Sequence, residues 1–251
     1  MEYQVVINGI EVKACFTQEN VDEIFLPLLR RLQRMQKEKD RRILAMLSAP
    51  PGAGKTTLCS FLQHLSQSRE DVAALTAIGM DGFHRRQVVL LEQTVQRDGK
   101  QIPMVQIKGA PVTFDLGALL RRVARVAAGE ACPWPEYNRL LHNPEEKGLR
   151  VCGDIILLEG NYLLLEEEGW KELRRFADLT IRIVADERML RERLVRRKMD
   201  SGAGRAEAER FVEFSDLVNA REVLSHSAPA DIELELLEDG SYRLAEGSLE
   251  I

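Results

Sequence analysis

Apolar residues change their spacing several times along the chain, and each change predicts an element. Tyr3 to Ile7 alternates, Asn8-Gly9 is a hairpin-turn signal, and Ile10 to Phe16 alternates again, which predicts a β-hairpin. Val21, Ile24, Phe25, Leu28, Leu29 and Leu32 then recur at helical spacing, with Pro27 marking either a kink or a helix start. The charge run Lys37 to Arg42 that closes this segment is expected to be solvated. Ile43 to Leu47 is a short unbroken apolar run, the pattern of a buried parallel strand. It leads through a glycine-rich loop into a helix with Leu58, Phe61, Leu62 and Leu65 on one face. Further strands are expected at Val72 to Met80, ending at Asp81-Gly82, and at Ile155 to Leu158, ending at Glu159-Gly160. A fourth, Leu179 to Val184, precedes a helix running from Glu187 to Lys198, and Ile232 to Leu237 with Asp239-Gly240 predicts an edge hairpin.

Strands that alternate with helices over this length imply an α/β fold with a doubly wound, mainly parallel sheet. Residues 43–251 are expected to form that domain, with residues 1–42 as an N-terminal β-hairpin plus helix appendage. The appendage carries no polar constellation, so packing or homodimer formation is expected of it rather than substrate contact. Residues 98–151 are rich in Gly and Pro around a helix near Leu116 to Ala128, an insertion of the kind that carries specificity. In open parallel sheets ligands bind beyond the carboxyl ends of strands, and the polar junctions after Leu47, Met80 and Leu158 all fall there.

Composition narrows the class of ligand. The 251 residues are 45% apolar and 30% charged with a net charge of -5, the balance of a soluble globular protein. That charge argues against a general nucleic-acid or membrane-surface binder. The four cysteines, Cys15, Cys59, Cys132 and Cys152, form no Cys-x-x-Cys pair, so neither a zinc site nor a disulfide framework is expected. No apolar run approaches the roughly 18 residues of a membrane span. A reducing, cytoplasmic location is the expectation.

The loop Ala49-Pro50-Pro51-Gly52-Ala53-Gly54-Lys55-Thr56 has the Walker A form, between the apolar strand and amphipathic helix that such a loop needs. Its small residues let successive backbone N–H groups point at phosphate oxygens, and the following helix adds its positive end. Pro51, Gly52, Ala53, Gly54, Lys55, Thr56 and Thr57 are therefore the expected nucleotide contacts. Lys55 would reach the terminal phosphates and Thr56 would ligate Mg²⁺. The fold is then a P-loop NTP hydrolase or kinase fold. The chain lacks the Asn-Lys-x-Asp of GTPases and the Leu-Ser-Gly-Gly-Gln of ATP-binding-cassette proteins, which leaves a small-molecule kinase. A P-loop ATPase or GTPase regulator acting through a protein partner, and a non-catalytic nucleotide sensor, are the alternatives.

A kinase needs a carboxylate near the acceptor hydroxyl, another on the metal side, and cations around the transferring phosphoryl group. Asp81, ending the second strand, is placed to accept a hydroxyl proton, though an Asp-Gly turn alone would also explain it. Glu159, ending an apolar strand, has the Walker B arrangement and would act on Mg²⁺, with helix capping as the plainer alternative. The helix bearing Arg188, Arg191, Arg193, Arg196, Arg197 and Lys198 begins a lid over residues 188–206. Arg193 and Arg197, four apart on one face, are the lid arginines expected to stabilise charge.

These segments, with Lys108-Gly109-Ala110-Pro111, Thr113-Phe114-Asp115, Tyr137-Asn138-Arg139 and Glu159-Gly160-Asn161-Tyr162, resemble the uridine kinase, pantothenate kinase and phosphoribulokinase group of P-loop kinases. Bacterial nucleoside/nucleotide kinases of the fructose transport-system type are the most similar. The resemblance runs from about residue 43 to residue 235 and implies ATP and Mg²⁺ as cofactors, with a small-molecule alcohol as substrate. It implies that Asp81 is the catalytic base and that Thr56 and Glu159 serve the metal. It also implies that Lys108, Tyr137, Arg139 and Asn219 lie near the acceptor, a nucleoside or sugar first and a pantothenate-like alcohol next; Asn161, in the matching Glu159-Gly160-Asn161-Tyr162 segment, is a further expected substrate contact. His84 either contacts substrate or is structural. The chain departs from the group's pattern at Ile107, Asn138 and Ser215-Asp216-Leu217-Val218, all in the acceptor half.

Overall fold

The computed structural model describes residues 1–7, 10–97, 99–139, 141–146 and 148–245. Six strands form the central sheet: β3 (Ile43–Ser48), β4 (Leu75–Gly79), β5 (Ile155–Gly160), β6 (Leu179–Ala185), β7 (Ile232–Leu236) and β8 (Tyr242–Leu244). Their spatial order is β8-β7-β6-β3-β5-β4, all parallel except for the antiparallel edge strand β8. The phosphate-loop strand β3 is thus central. Its side chains divide the core, because a strand sends successive residues to opposite faces. Ile43, Ala45 and Leu47 join one buried cluster, and Leu44 and Met46 join the other.

The first cluster is covered by α1 (Leu26–Lys39), α2 (Lys55–Gln67) and α4 (Glu187–Asp200), and the second by α3 (Leu116–Ala127). α5 (Arg205–Phe211) and α6 (Leu217–His226) complete the helices used below. Among the described residues no helix is long and apolar enough to cross a membrane.

The N-terminal segment is fastened to the phosphate-loop helix. β1 (Glu2–Ile7) and β2 (Ile10–Cys15) pair only with each other, and the Asn8-Gly9 turn between them lies outside the described residues. Beyond the hairpin, Phe16 stacks on Phe61 of α2 at 4.1 Å, and Phe25 meets the same ring edge-on at 5.9 Å. A π turn, Val21–Phe25, precedes α1, and Pro27 sits in the first turn of that helix, so it marks a helix start within a wider helical bend. Buried Asn20 exchanges hydrogen bonds of 2.6 and 2.7 Å with the backbone of Tyr242, satisfying the outer edge of β8.

The charge run after α1 is not simply solvated. Lys39 and Arg41 pair with Asp178 at 2.5 and 2.7 Å. Arg42 is buried and donates to the carbonyls of Val126, Glu130 and Gly153, tying the end of α3 and the approach to β5 to the start of β3.

Candidate functional site

Register brings three strand ends to one level. Glu159 on β5 lies opposite Leu47 of β3 on one side and Gly79 of β4 on the other. The phosphate loop, Glu159 and the segment carrying Asp81 therefore converge at the carboxyl edge of neighbouring strands.

The loop itself is built for close approach to an anion. Gly52 adopts φ +88°, which disfavours any side chain, and a Cβ there would press on Leu194 Cγ of α4 at 3.1 Å. Ala53 is fully buried, and α2 starts at Lys55 with no side-chain cap, leaving first-turn N–H groups for a ligand. Lys55, Thr56 and Thr57 make that first turn and Pro51 is buried before it. Thr56 Oγ1 donates to Glu159 Oε1 at 3.0 Å. Two hard oxygen donors side by side suit Mg²⁺, which takes one or two protein ligands and completes its shell with phosphate and water. Among the described residues no group of three His, Cys, Asp or Glu could hold a metal by itself. The donor set fits a magnesium ion that arrives with a nucleotide.

Burial raises Glu159 to about 7, against the pull of Lys55 and the Thr56 bond. At Asp81 burial also opposes the charge, but His84 when protonated, with Lys55, Arg139 and Arg197, outweighs it and holds this carboxyl below its usual range. Asp81 is the second residue of a short 3-10 turn, Met80–Phe83, fixed by a close contact behind it. A Cβ on Gly82 would lie 1.9 Å from the Pro135 carbonyl oxygen. Gly82→Ala should therefore lower stability by about 1–3 kcal/mol or more, read as a lower urea midpoint, because one backbone must move off the other. An unchanged midpoint would show that the contact is not rigid. Trp134 braces the same place, donating from Nε1 to the Gly79 carbonyl at 2.8 Å and meeting Phe83 edge-on at 5.0 Å.

On the far side of Asp81 lie the residues named for the acceptor. His84 Nδ1 is 2.8 Å from the Asp81 carbonyl oxygen, which can only accept, so the neutral ring carries its proton there and leaves Nε2 as an acceptor. Burial, reinforced by Lys108 and Arg139, lowers the His84 pKa despite Asp81 and keeps the ring neutral. The ring lies between Phe114 at 4.0 Å and Tyr137 at 4.9 Å. Burial and Asp81 push the Tyr137 phenol up to about 12 despite Arg139, so it remains a donor. Arg139 acts on both carboxylates. Tyr162 donates to the Gly109 carbonyl at 2.6 Å, and Asn219 of α6 is buried with Nδ2 3.5 Å from where a Gly109 Cβ would stand. The Asn161 carbonyl accepts from Ser48 Oγ at 2.8 Å, tying the end of β5 to the end of β3.

Lys108 donates to Gln87 Oε1 at 2.6 Å and to the His142 carbonyl at 3.0 Å, and its ammonium stands 5.1 Å from the Tyr137 ring centroid. Burial lowers its pKa from 10.5 to about 8. Between those values the unfolded chain binds the proton that the folded chain has lost, so this group makes stability rise with pH. Wild type should gain urea resistance relative to Lys108→Met as pH rises from about 8 towards 10.5. A difference constant across that window would contradict the placement of Lys108.

The two lid arginines part company. Arg197 lies 3.6 Å from Asp216 and its charge reaches Asp81. Arg193 meets other neighbours: its guanidinium is 3.9 Å from where a Gly240 Cβ would stand, and its charge acts on Tyr242.

The cleft that holds Thr56, Asp81 and Glu159, of about 210 Å³, is also lined by Val6 and Ile7 of the N-terminal hairpin. Tyr3 anchors that hairpin, its hydroxyl 2.7 Å from Ser60 Oγ and its ring against Phe61 and His64 of α2. The arm expected only to pack or dimerise thus forms one wall of the cleft. Its alternating pattern carries no signal of that position, which depends on tertiary docking.

The chain is similar along most of its length to the following known proteins. The chain is 37% identical over 243 residues to the uncharacterized protein YggC of Escherichia coli (strain K12), covering 96% of this chain and 98% of that one. It is 27% identical over 223 residues to a Schizosaccharomyces pombe protein provisionally named uridine kinase C227.14, covering 86% and 90% of the two. The crystal structure of a protein from Silicibacter sp. TM1040, provisionally assigned as a fructose transport system kinase, superposes with a TM-score of 0.68 at 28% identity over 80% of this chain and 98% of that one. No family model matches the chain.

Proposed function

Because the chain belongs to the P-loop kinases grouped with uridine kinase and pantothenate kinase, we propose that it transfers the γ-phosphoryl group of ATP to a hydroxyl of a small metabolite. A nucleoside or a sugar is the first choice of acceptor, and a pantothenate-like alcohol the next. The observation that carries this reading is Asp81, a carboxylate kept ionised by surrounding cations in the same cleft as Thr56 and Glu159.

The phosphates of ATP would lie on the backbone of residues 52–57, against the open start of α2. Lys55 would reach the β- and γ-phosphates. Thr56 and Glu159 would hold Mg²⁺, which when bound neutralises phosphate charge. Asp81 takes the proton of the acceptor hydroxyl as its oxygen attacks the γ-phosphorus and the bond to the bridging oxygen of ADP breaks. Positioned arginines stabilise charge on the transferring group, and Arg139 and Arg197 are the two whose fields converge on Asp81. Tyr137, neutral His84 and Lys108 supply a donor, an acceptor and a cation for orienting the acceptor. Val6 and Ile7 keep bulk water from one side of the cleft.

The test is ADP release from Mg²⁺-ATP against a panel of nucleosides, pentoses, hexoses and pantothenate. Release stimulated by one chemical class supports the reading. Release stimulated only by a protein, with no small molecule active, would replace it with the regulator alternative.

A further inference from the structure

A second cavity, of about 350 Å³, adjoins the catalytic cleft, and Gly82 and Pro135 line both. Three arginines line it, Arg85 and Arg86 just after His84 and Arg122 on α3. Among the described residues neither Arg85 nor Arg86 is paired with a carboxylate. Arg85 Nε donates to the Val112 carbonyl at 3.2 Å, which orients the side chain and leaves its charge uncompensated. Arg122 is held through one arm by the Pro133 carbonyl, and its other arm is 3.3 Å from Glu146, whose side chain is 71% exposed. Asp115, the remaining carboxylate on the wall, is committed to the N–H of Ala118 at the start of α3, at 2.9 Å.

Three permanent cations thus share a small space with two carboxylates, one acting as a helix cap and the other largely solvated. A bound oxyanion relieves that repulsion, and the planar forks of arginine match carboxylate and phosphate oxygens. His84 lines the cavity and is bonded through Nδ1 to the Asp81 carbonyl, so the cavity begins one side chain from Asp81.

We propose that this cavity holds an oxyanion of the acceptor, a phosphate monoester or carboxylate at the end remote from the hydroxyl that is phosphorylated. The inference rests on the kinase reading above and narrows its acceptors to those that carry an anionic group. Arg85, Arg86 and Arg122 are then specificity residues, while Asp81 handles the hydroxyl.

Calorimetry on the full chain tests this with Mg²⁺ and a non-hydrolysable ATP analogue saturating the phosphate loop, so that the loop's own anion site is filled. Ribose 5-phosphate and pantothenate are the charged probes, and ribose and inorganic phosphate are the controls. At least one charged probe should bind about tenfold tighter than ribose, and Arg86→Ala and Arg122→Ala should each remove about that factor. Arg86 is exposed, so Arg86→Ala keeps the fold and serves as the clean variant, with an unchanged thermal midpoint as its control. Charged probes that bind no tighter than ribose, or binding indifferent to both substitutions, would overturn the proposal. Inorganic phosphate that binds as tightly as the better charged probe would overturn it too, showing a free-anion site. Since binding needs no turnover, failure of the kinase reading appears separately, as arginine-dependent binding without phosphorylated product.

Discussion

Asp81→Asn is expected to lower kcat by about 100- to 10,000-fold, the range for a positioned general base, with ATP affinity unchanged. The substitution keeps the shape of the side chain and removes the site that takes the proton. The turn bearing Asp81 is held from behind by the Gly82–Pro135 contact and by Trp134, so its geometry should survive. ATP affinity should survive as well, because in the proposed binding mode the phosphates would rest on the loop before α2 and not on this strand end. Turnover in steady-state assays with the accepted substrate, beside ATP binding by calorimetry, checks both halves. Near-normal kcat would remove Asp81 from the chemistry, and lost ATP binding would mean that the turn collapsed.

Glu159→Gln should act differently. It would raise the Mg²⁺ concentration for half-maximal turnover by about 10- to 100-fold or more, because a metal-side carboxylate becomes a weaker neutral ligand. Its thermal midpoint should not fall. Burial already disfavours the charged form of Glu159, and an amide oxygen can still accept from Thr56 Oγ1. Lost activity with retained stability separates a metal role from a structural one. A Mg²⁺ titration of kcat for wild type and variant is the measurement, and coincident titration curves would contradict the assignment.

Much of the fold could be read along the chain because it rests on local pattern. Ile43 to Leu47 and Ile155 to Leu158 are unbroken apolar runs, and both form central strands that continue to Ser48 and Gly160. The strand expected from Val72 to Met80 is shorter, Leu75–Gly79, because Met80–Phe83 turns tightly to aim Asp81. Buried Val72 is a core residue of a loop, a state that hydrophobicity alone does not distinguish from a strand.

The site was legible at its centre and not at its rim. Asp81 and Glu159 stand at strand ends, and Lys55 and Thr56 at the loop-to-helix junction after β3, positions that chain order reveals. Arg193 and Arg197 share a helical face in projection but lie about 6 Å apart along the axis, and long side chains follow what they meet. Arg197 meets Asp216, which a π turn at Val212–Asp216 delivers, and Arg193 meets the β7–β8 turn. Nothing in Ser215-Asp216-Leu217-Val218 announces that turn. Val6 and Ile7 reach the cleft through the docking of Tyr3 and Phe16 on α2, contacts spanning more than forty positions that no local pattern records. Arg122 joins Arg85 and Arg86 only because α3 packs behind the Asp81 turn.

The central claim is that the γ-phosphoryl group goes to a small alcohol and not to water. Phosphorus-31 NMR of a reaction containing the protein, Mg²⁺-ATP and the stimulating acceptor tests it directly. The expected result is a new phosphate-ester resonance growing in step with ADP, and absent with Asp81→Asn over the same time. Growth of ADP with inorganic phosphate alone, and no ester, would contradict it.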